Sequence, residues 1–405
     1  MPHATAAEDR MNVKDNWRLA KEICFLNHGS FGACPAAVLD AQQALRERIE
    51  REPVTFFMRD YHGLLDETRQ ALAAWLGADA AGLVFVPNAT TAVNAVVNSL
   101  ALKPGDALLV TNHGYAACTN ALTFAAQRAG ARVVAARVPF PVRDEDDIVA
   151  AVLAAAPARA RLALIDHVTS PTALVFPAAR IVRALEDRGI PVMIDGAHAP
   201  GMLPLELDAL GASYYTGNCH KWMCNPKGAA FLYARADTRD GLYPTVISHG
   251  LTSPIRDRSR FHHLFDWPGT YDPTAVLTLP ATLRIMPAFC EGGWDGIRRA
   301  NGAKALRGRD CIARGLGLAP CAPDALLGAM ASFLLPRDFG GFPAGDGLIP
   351  PLQEHLFRAY GIEVPVMPWD ERGHILRISA HLYNEDEDYA RLRDALAEIG
   401  RGAVS

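Results

Sequence analysis

"LVFVPNATTAVNAV", Leu83 to Val96, carries the reading of the fold. Leu83–Val86 is a short apolar run of strand-forming residues. Pro87 and Asn88 interrupt it, and a helical pattern runs on from Thr90. The same alternation recurs downstream. "ALLV" (107–110) precedes a helical run from Tyr115, and "RVVAARV" (132–138), "RLALIDHV" (161–168) and "PVMID" (191–195) continue the series. Helices are predicted near 144–155 and 177–188 between them, and "YYTGN" and "GAAFLY" follow with little helix between. Short apolar strands alternating with helices predict an α/β domain with a mostly parallel central sheet buried on both faces.

Outward from this core, the chain of 405 residues exceeds what one compact core usually covers, so a second unit is expected. After a loop over 256–269, a helix is predicted near 272–286, opened by Asp272 and Pro273. A long helical run near 293–313 leads to "AMASFLLP", a helix near 350–360, "EVPV", "HILRISA" and a final helix near 385–399. This reads as a small C-terminal α+β domain over 291–405. The large domain is assigned to 76–290. Residues 1–75, with helices near 36–50 and 61–76, form an N-terminal segment packing on the domains.

The composition is ordinary for a globular chain, with 50% hydrophobic and 21% charged residues and a net charge of −4. No long basic run marks a nucleic-acid face or a polybasic membrane anchor. The N-terminus lacks the apolar core of a signal peptide, and no apolar stretch reaches membrane-spanning length. Eight scattered cysteines fit reduced cytosolic thiols better than a disulfide framework, so a cytoplasmic location is expected.

In an open α/β sheet, ligands bind beyond the carboxyl ends of the strands. "VPNATTAVNAV" (86–96) comes off a strand there and opens a helix. Its N–H and hydroxyl donors make either a phosphate cradle or a plain N-cap. Neither a G-x-G-x-x-G nor a P-loop word occurs. "PVMIDGAHAPG" (191–201) ends a strand on Asp195 and then His198. The carboxylate needs a cationic or N–H partner, such as a protonated pyridine nitrogen, or simply caps a turn.

"TGNCHKWMCNPKG", Thr216 to Gly228, admits three readings. Cys219, His220 and Cys224 are metal-ligand types, but no second close pair completes a zinc set, and no metal is expected. A basic patch is weakened by the apolar Trp222 and Met223. The third reading is Lys221 held in a partly dry pocket, where burial lowers the amine's pKa and frees its lone pair for Schiff-base chemistry. Phosphate cradle, carboxylate and lysine, in that order, are together the demands of pyridoxal phosphate.

These words, with "FLNHGSFGACP", "HVTSPTALVFP", "PGTYDPTAVLTLPATL" and "LRISAHLYN", resemble the class V aminotransferase family of fold-type I pyridoxal-phosphate enzymes, in its isopenicillin N epimerase-like branch. The resemblance runs from about residue 25 to the end and implies the fold and cofactor more specifically than the reaction. It implies that Lys221 carries the cofactor as a Schiff base, that Asp195 pairs with the ring nitrogen, and that His198 and Ser170 lie near the ring hydroxyl. It also implies that Ala89, Thr90, Asn218 and His220 hold the phosphate and that Tyr115 stacks on the ring. Thr270 would reach the phosphate of a neighbouring subunit, which implies a homodimer.

Arg377 would clamp the substrate α-carboxylate. Read on its own, an arginine inside an apolar strand either meets such an anion or makes a structural ion pair. Asn27 and His28 line the substrate side or shape a tight turn. The cations of "RDRSRFHHLFDW" could recognise an acidic substrate tail, or the stretch is a solvated loop.

The segment before the Arg377 strand holds no cysteine, which disfavours persulfide-forming desulfuration. The expected reaction is α-proton abstraction from an amino acid, epimerase-like. A β-eliminating carbon–sulfur lyase and then an aminotransferase are the alternatives, and a catalytically silent dimeric binding protein is the remote one.

Overall fold

In the computed structural model, residues 13–254, 257–343 and 349–402 are described. Twelve strands are present among them. They are β1 (Cys24–Phe25), β2 (Leu83–Val86), β3 (Ala107–Thr111), β4 (Arg132–Ala136), β5 (Ala160–Asp166) and β6 (Val192–Asp195). After these come β7 (Tyr214–Asn218), β8 (Ala230–Ala234), β9 (Met330–Pro336), β10 (Ile362–Glu363), β11 (Val366–Asp370) and β12 (Gly373–Ser379).

Seven strands form the large sheet in the order β2-β8-β7-β6-β5-β3-β4. Strands β3 to β7 run parallel, and β8 is antiparallel to both of its neighbours. The inner strands are apolar on both faces because helices cover both: Leu162, Ala163, Ile165, Val192, Met193 and Ile194 are all fully buried. The register places Asp166, Asp195 and Thr216 side by side at the carboxyl ends of β5, β6 and β7. The loops leaving these three strands carry Ser170, His198 and Lys221.

The small sheet is antiparallel, in the order β11-β12-β9. Every residue of β12 is buried, including Arg377, which pairs with Ser332 of β9. Helices Gly293–Leu316 and Asp386–Gly400 pack on this unit. The second opens with a reciprocal capping box between Glu385 and Asp388. The N-terminal β1 pairs in parallel with β10, joining Cys24 to Ile362, so the N-terminal segment is stitched to the small sheet.

Two details differ from expectation. "EVPV" does not form one strand: β10 stops at Glu363 and β11 starts at Val366. Pro365 has no N–H to give a ladder, and its carbonyl accepts from Arg377 N instead. The stretch expected as a loop over 256–269 contains a helix, Arg260–Phe265. Ser259 caps it by accepting from His262 N at 3.1 Å, and Phe261, Leu264 and Phe265 turn inward. Residues 255–256 lie outside the described residues.

The charges of this stretch are used internally. The carboxylate of Asp266 is buried and accepts from Arg69 at 2.6 Å and from Arg258 at 3.2 Å. Arg258 also reaches Asp66, and the Arg260 guanidinium sits over the Tyr243 ring. Among the described residues, then, these cations are tied to the large domain and do not form a free anion site.

Candidate active site

A cavity of about 510 Å³ opens at the carboxyl ends of β5, β6 and β7. Ala89, Thr90, Tyr115, Ser170, Asp195, His198, Asn218, His220 and Lys221, all singled out in the sequence, line it together. Ser30, Cys118 and Asp166 line it as well.

The Lys221 loop is fixed by close backbone approach. Gly32 has a φ of +70°, and a Cβ there would fall 2.3 Å from the His220 carbonyl oxygen. Gly201, at φ +89°, would bring a Cβ to 2.3 Å from the Trp222 carbonyl. Only glycine lets the two neighbouring segments lie against the lysine loop this tightly.

The ε-amine of Lys221 is buried, which pulls its pKa from 10.5 down to about 7. Burial is the main cause and repulsion by Arg377 adds to it, while Asp195, Cys118 and Asp166 oppose it. Nζ lies 2.9 Å from Nε2 of His198. The Nδ1 of the same ring accepts the indole N–H of Trp222 at 3.3 Å. An indole can only donate, so Nδ1 is the acceptor and the ring proton sits on Nε2, facing the lysine. Burial holds His198 neutral, well below its ordinary pKa. A neutral amine is the partner that this tautomer accepts.

Asp195 accepts from Ala197 N at 3.0 Å and from the Cys118 thiol at 3.3 Å. Its register neighbour Asp166 is equally hidden. Burial raises the pKa of both carboxyls, and Asp166, which feels the charge of Asp195, is raised well above the usual range. Asp195 is therefore the member of the pair that stays ionised, and its charge pushes Asp166 toward the neutral acid. Asp166 and Cys118 were not singled out in the sequence. A second Asp at the end of the neighbouring parallel strand was the available signal; nothing marked the cysteine.

Asn88 caps helix Ala89–Ser99 by accepting from Thr91 N at 2.9 Å. The Ala89 N–H, expected at a phosphate, instead donates to Asn218 Oδ1 at 2.9 Å. The cradle thus joins the helix start to the end of β7, with Thr90 and the Asn218 amide nitrogen beside it. His220 gives its Nδ1 proton to the Ala229 carbonyl at 2.9 Å, leaving Nε2 for the cavity.

Arg377 is 2% exposed, and among the described residues no carboxylate pairs with it. Its acceptors are neutral. Nη1 donates to the Ser170 carbonyl and hydroxyl, and Nη2 to Ser30 Oγ at 3.1 Å and Asn27 Oδ1 at 3.5 Å. Nε has no partner. Burial lowers its pKa to about 10, still above physiological pH. A buried, charged guanidinium held only by neutral acceptors is costly on its own and has the chemistry to receive an anion. Ser30 and Ser170 connect it to the cavity wall.

Four expected residues lie elsewhere than the cavity wall. Asn27 stands behind Arg377, binding Glu363 at 3.0 Å and accepting from Ser30. His28, expected on the substrate side, is fully buried behind the Lys221 peptide and contacts its carbonyl oxygen at 3.0 Å. Arg377 itself is reached through the two serines, and Thr270 is exposed outside the cavity. His113 is held by Thr172 and the Val138 carbonyl, while Tyr115 lies at the mouth. The three metal-ligand types of "TGNCHKWMC" do not converge: Cys224 approaches His381 at 3.3 Å, on the far side of the loop from His220.

A neutral buried amine, a buried carboxylate at the end of the neighbouring strand, a helix-start cradle and an unpaired arginine match the demands of pyridoxal phosphate with an amino acid. The donor set therefore fits that cofactor. These features define a fold-type I pyridoxal-phosphate enzyme. The family model "Aminotransferase class-V" matches residues 32–278, and the chain belongs to that family.

Among curated relatives, a putative L-cysteine desulfhydrase 1 from Oryza sativa subsp. japonica is 33% identical, with 93% of this chain and 83% of that protein covered. An isopenicillin N epimerase from Amycolatopsis lactamdurans is also 33% identical, over 96% of this chain and 98% of the relative. In fold, the chain is similar to the cystine C–S lyase C-DES in complex with cysteine persulfide. That match has a TM-score of 0.79 at 21% identity and covers 93% of this chain and 97% of that one. Among the described residues no helix is long and apolar enough to cross a membrane.

Proposed function

We propose that this pyridoxal-phosphate-dependent enzyme cleaves a carbon–sulfur bond in a small cysteine-like amino acid by β-elimination. The observation that carries this reading is the single amine in the cavity. Among the described lining residues, Lys221 is the one amine, and burial brings its pKa down to about 7. Asp195, Cys118, His198 and His220 are held by Ala197, Asp195, Trp222 and Ala229. Elimination needs one such base. Epimerisation needs a second acid–base group on the opposite face of the α-carbon, and Tyr115 and Asp166 are the lining groups left for it.

Bound pyridoxal phosphate supplies an aldehyde for the amine and a ring that withdraws electrons from the α-carbon. The protein supplies the rest. Lys221 would hold the cofactor, and its free amine would take the α-proton. Asp195 would keep the ring nitrogen protonated. His198 and Ser170 would serve the ring hydroxyl, and Thr90, Asn218 and His220 would hold the phosphate. Tyr115 would stack on the ring, and Arg377 would take the α-carboxylate with Ser30 and Ser170 as its frame. The Cα–H and Cβ–S bonds break, sulfur leaves with the bonding pair and gains a proton, and hydrolysis of the remaining enamine gives a keto acid and ammonia. Thr270, exposed on its loop, serves a second subunit in a homodimer.

Relatives named L-cysteine desulfhydrase, at 33% and 31% identity, support the substrate class. An epimerase reading is the second choice, and the epimerase relative covered almost end to end favours it. The two separate on L-cysteine in deuterated water. Stoichiometric pyruvate, sulfide and ammonia support elimination; α-deuterium incorporation into recovered amino acid without keto acid overturns it.

A further inference from the structure

We propose that His28 is a positioning residue that fixes the reactive lysine by holding the Lys221 carbonyl. The inference rests on Lys221 being the cofactor-bearing amine. Nδ1 of His28 lies 2.7 Å from the Tyr383 hydroxyl and 3.3 Å from Ala33 N. A backbone N–H can only donate, so Nδ1 is an acceptor and the ring proton lies on Nε2. That proton points at the Lys221 carbonyl oxygen, 3.0 Å from Nε2. Burial pushes the His28 pKa down to about 3, so the neutral tautomer persists across physiological pH.

The ring itself is clamped. His381 stacks on it at 4.3 Å with an interplanar angle of 15°. Trp222 meets it at 4.8 Å, and the Trp222 indole N–H is the donor that orients His198. Lys221 is thus gripped at both ends, by His28 at its carbonyl and by His198 at its amine, with Trp222 touching both rings. The turn His28–Phe31 also carries Ser30, the acceptor of Arg377. One short turn therefore touches both the Lys221 backbone and the Arg377 guanidinium.

Cys224, His28 and His381 form a cluster of metal-ligand types. A metal there would need the Nε2 lone pair of His28, and that nitrogen carries the proton given to Lys221. The cluster is accordingly read as a clamp.

The test compares His28→Gln with His28→Asn. A glutamine amide nitrogen reaches the place of Nε2 and can still donate to the carbonyl; an asparagine stops at the place of Nδ1. Two readouts are taken on cofactor-free protein: the rate of Schiff-base formation with pyridoxal phosphate, and the affinity for pyridoxamine phosphate, which fills the same pocket without bonding to lysine. His28→Asn is expected to slow Schiff-base formation about tenfold, and His28→Gln to stay within about threefold of the unaltered chain. Both keep pyridoxamine phosphate affinity within about threefold.

An unslowed Asn variant overturns the proposal. So does an equal loss of pyridoxamine phosphate binding in both variants, which would mark a general role in holding the pocket. If the unaltered chain forms no Schiff base at Lys221, it is the assignment of the lysine that fails.

Discussion

His198 and Lys221 meet ring nitrogen to amine at 2.9 Å, and the tautomer of one selects the charge of the other. With Nδ1 committed to Trp222, the imidazole presents an N–H to Nζ, which an ammonium could not accept. In the cofactor-free protein this geometry and the lowered pKa of about 7 act in one direction, toward a free amine.

The first prediction is a pH dependence. In the unfolded chain Lys221 holds its proton up to about 10.5, and in the folded chain only up to about 7. Between these values the unfolded state binds more protons, so stability rises with pH across that window and the burial penalty is greatest below it. Replacing Lys221 by Met should remove this contribution. Denaturant midpoints of the cofactor-free chain, taken at about pH 6 and about pH 9, should rise with pH more steeply than those of Lys221→Met. Equal slopes would mean that the amine is not buried as described.

Arg377 should control substrate affinity. Arg377→Ala removes the unpaired guanidinium and should lower kcat/KM by about 10²–10³-fold, while the spectrum of bound cofactor stays unchanged. Arg377→Lys should recover only part, because a single ammonium cannot reproduce the fork. Steady-state kinetics on L-cysteine reads both.

Asp195→Asn should retain the Schiff base and lose the electron sink. A neutral amide cannot hold the ring nitrogen protonated, and α-proton exchange should slow by about 10²–10³-fold. Loss of exchange together with unaltered cofactor loading is the expected signature. An Asn variant that exchanges at the original rate would exclude the assigned role.

The Arg69–Asp266 pair is buried on both sides and ties the 257–266 segment to helix Tyr61–Leu76. Asp266→Ala removes the buried carboxylate that Arg69 Nη2 and Arg258 share, leaves Arg69 only the more exposed Asp66, and should cost about 3–5 kcal/mol of unfolding free energy. Urea unfolding measures it; a cost under about 1 kcal/mol would show that solvent or a neighbouring acid replaces the pair.

Much of the site was legible because its residues sit at positions that periodicity fixes. Asp195 and Asn218 end apolar strands, Thr90 opens a helix after one, and each word kept its chemistry beside its element. Asp166 was hidden by the same regularity, being read only as part of the strand "RLALIDHV", which in the structure ends at Asp166. For Asn27 and His28 the sequence left two readings, substrate side or tight turn, and the structure shows the turn. Whether a turn residue faces the substrate or the back of a loop depends on which segment packs against it, and here Gly32 lets the N-terminal turn slide behind Lys221. The helix Arg260–Phe265 was missed because its six residues give less than two turns of periodicity, while the charges in and before it, Arg260 over the Tyr243 ring and Arg258 on Asp66 and Asp266, imitate a solvated loop.

The central claim is that Lys221 carries pyridoxal phosphate. Borohydride reduction of the purified protein with cofactor, followed by peptide mass mapping, tests it most directly. The account predicts a phosphopyridoxyl mass on the peptide containing Lys221 and its absence from Lys221→Ala. A mass on another lysine, such as Lys227 six residues on, or no modification with cofactor present, would contradict it.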